Sequence, residues 1–319
     1  MTDDIDARIT DDIRRGLPAP PPLGAAALPP GTYAGQVVLV TGGGTGLGRA
    51  IAAEFARLGA DLVIASRRSE RLQAAREELA ALPGAGRVAA AVCDIRDPER
   101  VADVFDAAQA ALGLPDVLVN NAAANFPCPA EDLSPNAWRA VVDITLTGTW
   151  FMTREFGRRH LAAGTPGSIV NIGASYAWTG GPGFAHSAAA KAGVKNLVET
   201  LAVEWGPYGI QINGLVPGLF PHADMTEDIR DGLERAAPGA GSAGSGPRRP
   251  DPQDLRQPAL RVGAPRELGW AATFLASPYA RFVTGHTLVV DGANWQRRSV
   301  VNPEVVPVRE QLGRGLFDG

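Results

Sequence analysis

Five glycines crowded between Thr41 and Arg49 are the first residues whose types and spacing suggest a chemical task. In QVVLVTGGGTGLGR (36–49) they stand at 42, 43, 44, 46 and 48. Phosphate recognition is that task. Glycine lets the backbone take positive φ and come close to a pyrophosphate, and a helix N-terminus offers free N–H groups and a favourable dipole. A glycine cluster alone is more often an ordinary turn, so its flanks decide. Here an apolar run, Val37 to Val40, comes before it, and Ile51, Phe55 and Leu58 follow at helical spacing. Strand, tight turn and helix make a dinucleotide cradle, with Thr41, Gly42, Gly44, Thr45, Gly46, Leu47 and Gly48 as its expected contacts.

Basic residues point the same way. The only lysines are Lys191 and Lys195, all other basic residues being arginine. A biased genome explains the bias, yet a lysine that survives it invites a question about its task. A second buried strand, Asp61–Ser66 (DLVIAS), ends at Ser66, Arg67 and Arg68. An acidic residue there would take the adenosine ribose hydroxyls, whereas arginine suits a 2′-phosphate. The alternative is that both arginines are solvated residues at a helix start. The reading favoured is NADP(H).

These groups need a scaffold, and the chain supplies one by alternating strand and helix. A third strand, Arg87–Cys93, ends in CDIRDP (93–98), where Asp94 is placed to accept from adenine with Ile95 beside it, and Asp97 caps the next helix. The fourth strand, Asp116–Asn120, runs into VNNAAA. Small residues there let the backbone pass close to a cofactor, and Asn120 or Asn121 can tie neighbouring strands; a plain turn is the other reading. Ser134-Pro135 opens a long helix to about Leu161. Ser168–Ile172 is the fifth strand, Phe184 to Trp205 a long helix with a stripe of small residues, Gln211–Val216 the sixth strand and Thr287–Val290 the last. The expected fold is α/β, one doubly wound, seven-stranded parallel sheet with helices on both faces.

Composition sets bounds. With 319 residues, 45% hydrophobic and 20% charged, the chain can bury a substantial core and reads as a soluble globular protein. A formal charge of −4 argues against a nucleic-acid or anionic-membrane surface. No run approaches a membrane span, and the start MTDDIDARITDDIRR is acidic where a secretory signal is basic and then apolar. Only Cys93 and Cys128 are present, which excludes a disulfide framework and suggests a reducing cytoplasm. Residues 1–34 read as a flexible arm: a possible short helix (Ile5, Ile9, Ile13), then a proline-rich run that cannot propagate one. The main domain spans 35–292. Within it, 219–260 reads as a mobile substrate loop, its GAGSAGSGPRRPDPQ stretch lacking any apolar period, and 293–319 is a C-terminal tail.

By these residues the chain resembles the short-chain dehydrogenase/reductase family, over roughly Gln36 to Gly292. The stretches that carry the likeness are TGGGTGLG (41–48), NNAA (120–123), GSIVNIGAS (167–175), AAAKAG (188–193), NGLVPG (213–218) and VTGHTLVVDG (283–292). The resemblance implies a single-domain Rossmann fold and pairing into homotetramers through the two long helices. It also implies cofactor contacts from Asn121, Ala122, Ala123, Lys191, Pro217 and Gly218, besides those already named.

Departures from the family pattern narrow the chemistry. The family's usual tyrosine lies four residues before the lysine; here that position is Ser187. Ala174 stands where the usual serine follows the fifth strand, and the common helix asparagine aligns with Thr147. The 2,4-dienoyl-CoA reductase-like branch shares the serine, and in it a tyrosine eleven residues earlier serves the substrate; here that is Tyr176. VIASRR (63–68), CDIRDP (93–98), NNAAANF (120–126) and LSPNAW (133–138) resemble the same branch, which uses NADPH. The implied activity is reduction of a conjugated enoyl or dienoyl thioester such as an acyl-CoA. Hydride delivery to such a substrate builds negative charge on the thioester oxygen, so donors must be aimed at it. Tyr176 is the expected donor, Ser187 its support, and Lys191 the group that binds the nicotinamide ribose and keeps the potential positive. The plainer readings are a loop aromatic for Tyr176, a small helix residue for Ser187, packing or a pocket rim for His186, and a surface residue for Lys195. A keto/hydroxy oxidoreductase of a bulky acyl-CoA or polyketide-like ketone, or a non-catalytic NADP-binding protein, stands as the alternative function.

Overall fold

The structure, a computed structural model, describes residues 17–222 and 258–296. The possible helix at the N-terminus, the Gly/Ser/Pro-rich stretch and most of the C-terminal tail lie outside these residues.

Seven apolar runs form one parallel sheet in the order β3-β2-β1-β4-β5-β6-β7. Its strands are β1 (Val37–Thr41), β2 (Asp61–Ser66), β3 (Val88–Val92), β4 (Val117–Asn120), β5 (Gly167–Ile172), β6 (Ile210–Pro217) and β7 (Thr287–Val290). The inner strands are buried on both faces and so read as continuous rather than alternating hydrophobic runs. The helices are α1 (Gly46–Arg57), α2 (Ser69–Ala80), α3 (Pro98–Ala111), α4 (Pro135–Val142), α5 (Gly148–Ala163), the short α6 (Tyr176–Thr179), α7 (Ala185–Trp205) and α8 (Pro265–Ala276). One core layer joins Tyr33, Phe55, Ile64, Leu72 and Leu268 on one face of the sheet. On the other, Phe105, Met152, Phe156, Ile169 and Trp205 pack together.

The expected caps are in place. The Asp97 carboxylate accepts from the Glu99 and Arg100 amides, and Ser134 Oγ accepts from Ala137 N. The long helix after Ser134 is interrupted: Asp143–Thr147 is a π-helical segment between α4 and α5. This wider turn changes which side chains face inward. Thr145 is fully buried, its Oγ1 accepting from Ala124 N at 3.2 Å and facing Ala124 O at 3.4 Å. Thr147, which the sequence reading aligned with the family asparagine, is only half-buried.

The proline-rich stretch expected as a flexible arm is laid along α8 from Leu17 onward. Leu17 N donates to Ala259 O, Arg261 Nε to Pro18 O, Arg266 to Pro21 O and Trp270 Nε1 to Ala25 O. Tyr33 ends the run, buried against Phe55 with its hydroxyl on Thr273 O. Proline lacks an N–H but keeps its carbonyl, so such a segment binds by accepting. Among the described residues no helix is long and apolar enough to cross a membrane.

Candidate active site

Strand order reverses between β1 and β4, so the helices leaving these strands part and open a crevice at the carboxyl ends of the sheet. The turn after β1 forms its wall. Gly42 and Gly46 have φ of +66° and +54°, the region that favours glycine. A Cβ on Gly48 would overlap the Gly42 carbonyl oxygen and the Asn121 amide, and one on Gly42 would come 2.7 Å from Asn121 Nδ2. Thr41 fastens this wall to its neighbour: its Oγ1 accepts from Asn121 N and Ala122 N, each at 3.0 Å, while Asn121 Nδ2 donates to Thr41 O at 3.0 Å. Asn120 holds the other side, donating to Asn171 Oδ1 and Thr153 Oγ1 at 2.9 Å. Both asparagines therefore tie elements together, one across β1 and one across β5.

The remaining sequence-derived contacts line the same rim. Thr45 precedes α1 in extended conformation and makes no side-chain cap to it, and Leu47 packs on the core. Ser66 closes β2 with Oγ accepting from Arg68 N, and Arg67 and Arg68 are exposed beyond it. Asp94 does not stand free for adenine: Arg96 grips its carboxylate in a fork, Nε to Oδ1 at 2.9 Å and Nη2 to Oδ2 at 2.5 Å. That bond, with Arg67 close enough to add to it, holds the Asp94 carboxyl below its usual range. Ile95 is buried against Gly148, and Ala123 follows Asn121 and Ala122 along the exit from β4. Pro217 ends β6 and Gly218 N donates to Val290 O. A further side chain reaches this rim: the His222 ring leans on Gly46, where a Cβ would meet it at 3.0 Å. A turn with no room for a Cβ at Gly42 or Gly48, a helix starting directly after it and arginines at the end of β2 fit a dinucleotide.

The reacting groups converge from β5, α6 and α7. Lys191 lies one helical turn after Ser187 on α7, and both are buried. Lys191 Nζ donates to Ile172 O at 2.5 Å, and burial pushes its pKa down to about 8. Tyr176 opens α6, and its hydroxyl lies 3.0 Å from Ser187 Oγ. A third group, unseen in the sequence, completes this contact: Asn125 Nδ2 donates to the Tyr176 hydroxyl at 3.3 Å. Desolvation raises the Tyr176 pKa and the Ser187 bond opposes it, so the phenol keeps its proton at neutral pH. Phe184 lies parallel to the Tyr176 ring at 6.1 Å. Trp178 stacks on Trp295 at 5.6 Å and carries Lys195 over its ring at 5.7 Å. Lys195 also pairs with Glu199, as a surface lysine would. Ala174 lines a small cavity with Trp178 and Lys191 and offers no hydroxyl. His186 is fully buried beside Ser187.

A doubly wound sheet with a dinucleotide cradle at its switch point and a buried lysine beside hydroxyl donors defines an oxidoreductase that works with a nicotinamide cofactor. Residues 36–234 match the family model for short chain dehydrogenase, and the chain belongs to that family. It is 37% identical over 261 residues to a probable 2,4-dienoyl-CoA reductase [(2E)-enoyl-CoA-producing] of Bacillus subtilis, covering 82% of this chain and 96% of that one. It is 39% identical over 264 residues to the peroxisomal 2,4-dienoyl-CoA reductase [(3E)-enoyl-CoA-producing] of Rattus norvegicus, covering 82% and 84%. A crystal structure of a short chain dehydrogenase from Bacillus anthracis superposes with a TM-score of 0.70 at 36% identity, covering 82% of this chain and 96% of that one.

Proposed function

We propose that this enzyme is an NADPH-dependent reductase of a conjugated enoyl or dienoyl thioester such as an acyl-CoA. The observation that carries the reading is the Tyr176–Ser187 hydroxyl contact beside Lys191, in a site where Ala174 brings no hydroxyl. Thr41 to Gly48, Asn121 to Ala123, Pro217 and Gly218 would hold the dinucleotide, Arg67 and Arg68 its 2′-phosphate, and Lys191 its nicotinamide ribose. Bound there, the reduced nicotinamide supplies a hydride to the conjugated carbon chain.

The chain's own residues manage the charge that results. Asn125 donates to the Tyr176 oxygen, and Ser187 donating to the same oxygen leaves the phenol proton for the thioester oxygen. Tyr176 acts as a neutral hydrogen-bond donor to the developing oxyanion, and the raised pKa keeps it one. Lys191, charged below about pH 8, supplies the positive potential. A proton from solvent then completes the reduced chain.

Association of copies through α4, α5 and α7 into a homotetramer belongs to the same reading; it would cover the exposed Val203 and Trp138. The two buried cysteines, Cys93 and Cys128, support a reducing compartment such as the cytoplasm. The functional test is oxidation of NADPH, followed by its absorbance, against matched dienoyl-CoA, enoyl-CoA and bulky ketone substrates. Turnover confined to the conjugated thioesters is expected; turnover of the ketones alone would move the enzyme to the keto/hydroxy class.

A further inference from the structure

His186 is the second residue of α7, one before Ser187, and is fully buried. Its Nδ1 takes the Ser187 backbone N–H at 2.8 Å. A backbone amide only donates, so Nδ1 is the acceptor and the ring proton sits on Nε2. Burial holds the imidazole pKa below its usual value, with the Phe184 backbone opposing, so the ring is neutral at pH 7. Phe126 meets the ring edge to face, at 4.5 Å and 89°. Phe126 directly follows Asn125, which donates to the Tyr176 hydroxyl. The imidazole thus bridges the two segments that grip the Tyr176 hydroxyl.

As a device for stability the residue is poor. Nε2 makes no well-formed hydrogen bond among the described residues, and a poorly satisfied polar atom in the interior costs free energy that a hydrocarbon side chain would not. What it does supply is an acceptor at a helix start where Phe184, the N-cap, has none.

We propose that His186 is a positioning residue for the Tyr176–Ser187 pair. Nδ1 fixes the Ser187 backbone, and the contact with Phe126 fixes the Asn125–Phe126 segment. Together they bring both partners onto the Tyr176 oxygen. The inference rests on the reading of Tyr176 as oxyanion donor.

The test compares His186→Leu, which fills the space without an acceptor, with His186→Asn, whose amide oxygen can take the Ser187 N–H. Tyr176→Phe serves as the reference. Turnover and KM on a 2,4-dienoyl-CoA, NADPH affinity, thermal midpoint and the alkaline absorbance titration of Tyr176 are measured on each full-length protein. His186→Leu is expected to lower turnover by about tenfold or more with KM and NADPH affinity little changed. Its thermal midpoint should hold or rise. Its Tyr176 titration should move to higher pH, because the Ser187 bond that lowers it is loosened. His186→Asn should recover most of the turnover and the unshifted titration. If Tyr176→Phe loses turnover while His186→Leu does not, the inference fails alone. If both His186 variants are equally impaired with a lowered midpoint, the residue merely packs and the inference also fails. If Tyr176→Phe keeps full turnover, the reading beneath it fails.

Discussion

The Tyr176 hydroxyl and Ser187 Oγ meet at 3.0 Å across eleven residues of chain. Gly180 and Gly183, at φ of +72° and +80°, turn the chain back after α6. The Tyr176 and Phe184 rings then lie parallel, which sets α6 against the start of α7. The pair therefore stands on two elements, the short α6 and the first turn of α7, rather than on one helix face. In the usual family arrangement tyrosine and lysine share the helix. Here the serine keeps the helix position and the tyrosine reaches it from the neighbouring turn.

Lys191 gives activity and stability opposite pH trends. Its pKa falls from 10.5 to about 8 in the folded protein because burial disfavours the cation. Below about pH 8 both folded and unfolded chains hold the proton. Between there and the unfolded value only the unfolded chain does, so apo stability rises with pH in that window. Relative to Lys191→Met, the gain should approach about 3 kcal/mol by the upper end. Turnover should fall over the same window as the positive potential is lost. Denaturant unfolding of both proteins as a function of pH checks this; a constant difference between them would contradict the shift.

The proposed preference for NADPH rests on Arg67. It is exposed just beyond the end of β2, where an arginine would suit a 2′-phosphate. Arg67→Asp should weaken NADPH binding by about tenfold to a hundredfold, the worth of one charge-assisted contact, while NADH binding holds or improves. Ligand titration with both cofactors reads it directly. Equal affinity of the unaltered protein for the two would sink the assignment.

Gly48→Ala should damage the cradle. Its Cβ would overlap the Gly42 carbonyl and the Asn121 amide, so the turn and the end of β4 must separate. A cost of about 1–3 kcal/mol in stability is expected, with a larger loss in cofactor affinity. Gly206, helical at φ −52° with nothing near its Cβ position, is the control and should tolerate alanine. Intact cofactor binding in Gly48→Ala would refute the cradle.

Sequence alone was enough for the strands, because each is an apolar run with a turn at its end; β7 is found at the residues read from the chain. The cradle was legible for the same reason, its function being written in local glycine spacing. Distant partners were not. Asn125 lies 51 residues from Tyr176, and no local pattern distinguishes it from its neighbours. The four residues of α6 are too few to show a helical period. Thr147 aligns with a family position, but in the π-segment from Asp143 to Thr147 it is Thr145 that is fully buried. The arm looked free because proline carbonyls find their donors, Arg261 and Arg266, more than 240 residues away.

The central claim is that Tyr176 donates to the oxyanion, and its direct measurement is turnover of Tyr176→Phe on a 2,4-dienoyl-CoA with NADPH affinity determined alongside. The variant keeps the ring and its stacking on Phe184 but loses the proton and the contact with Ser187. Removing one such donor costs about 10²–10³ in turnover, and that loss is expected here with cofactor affinity unchanged. Turnover equal to that of the unaltered enzyme would contradict the account and take Tyr176 out of the mechanism.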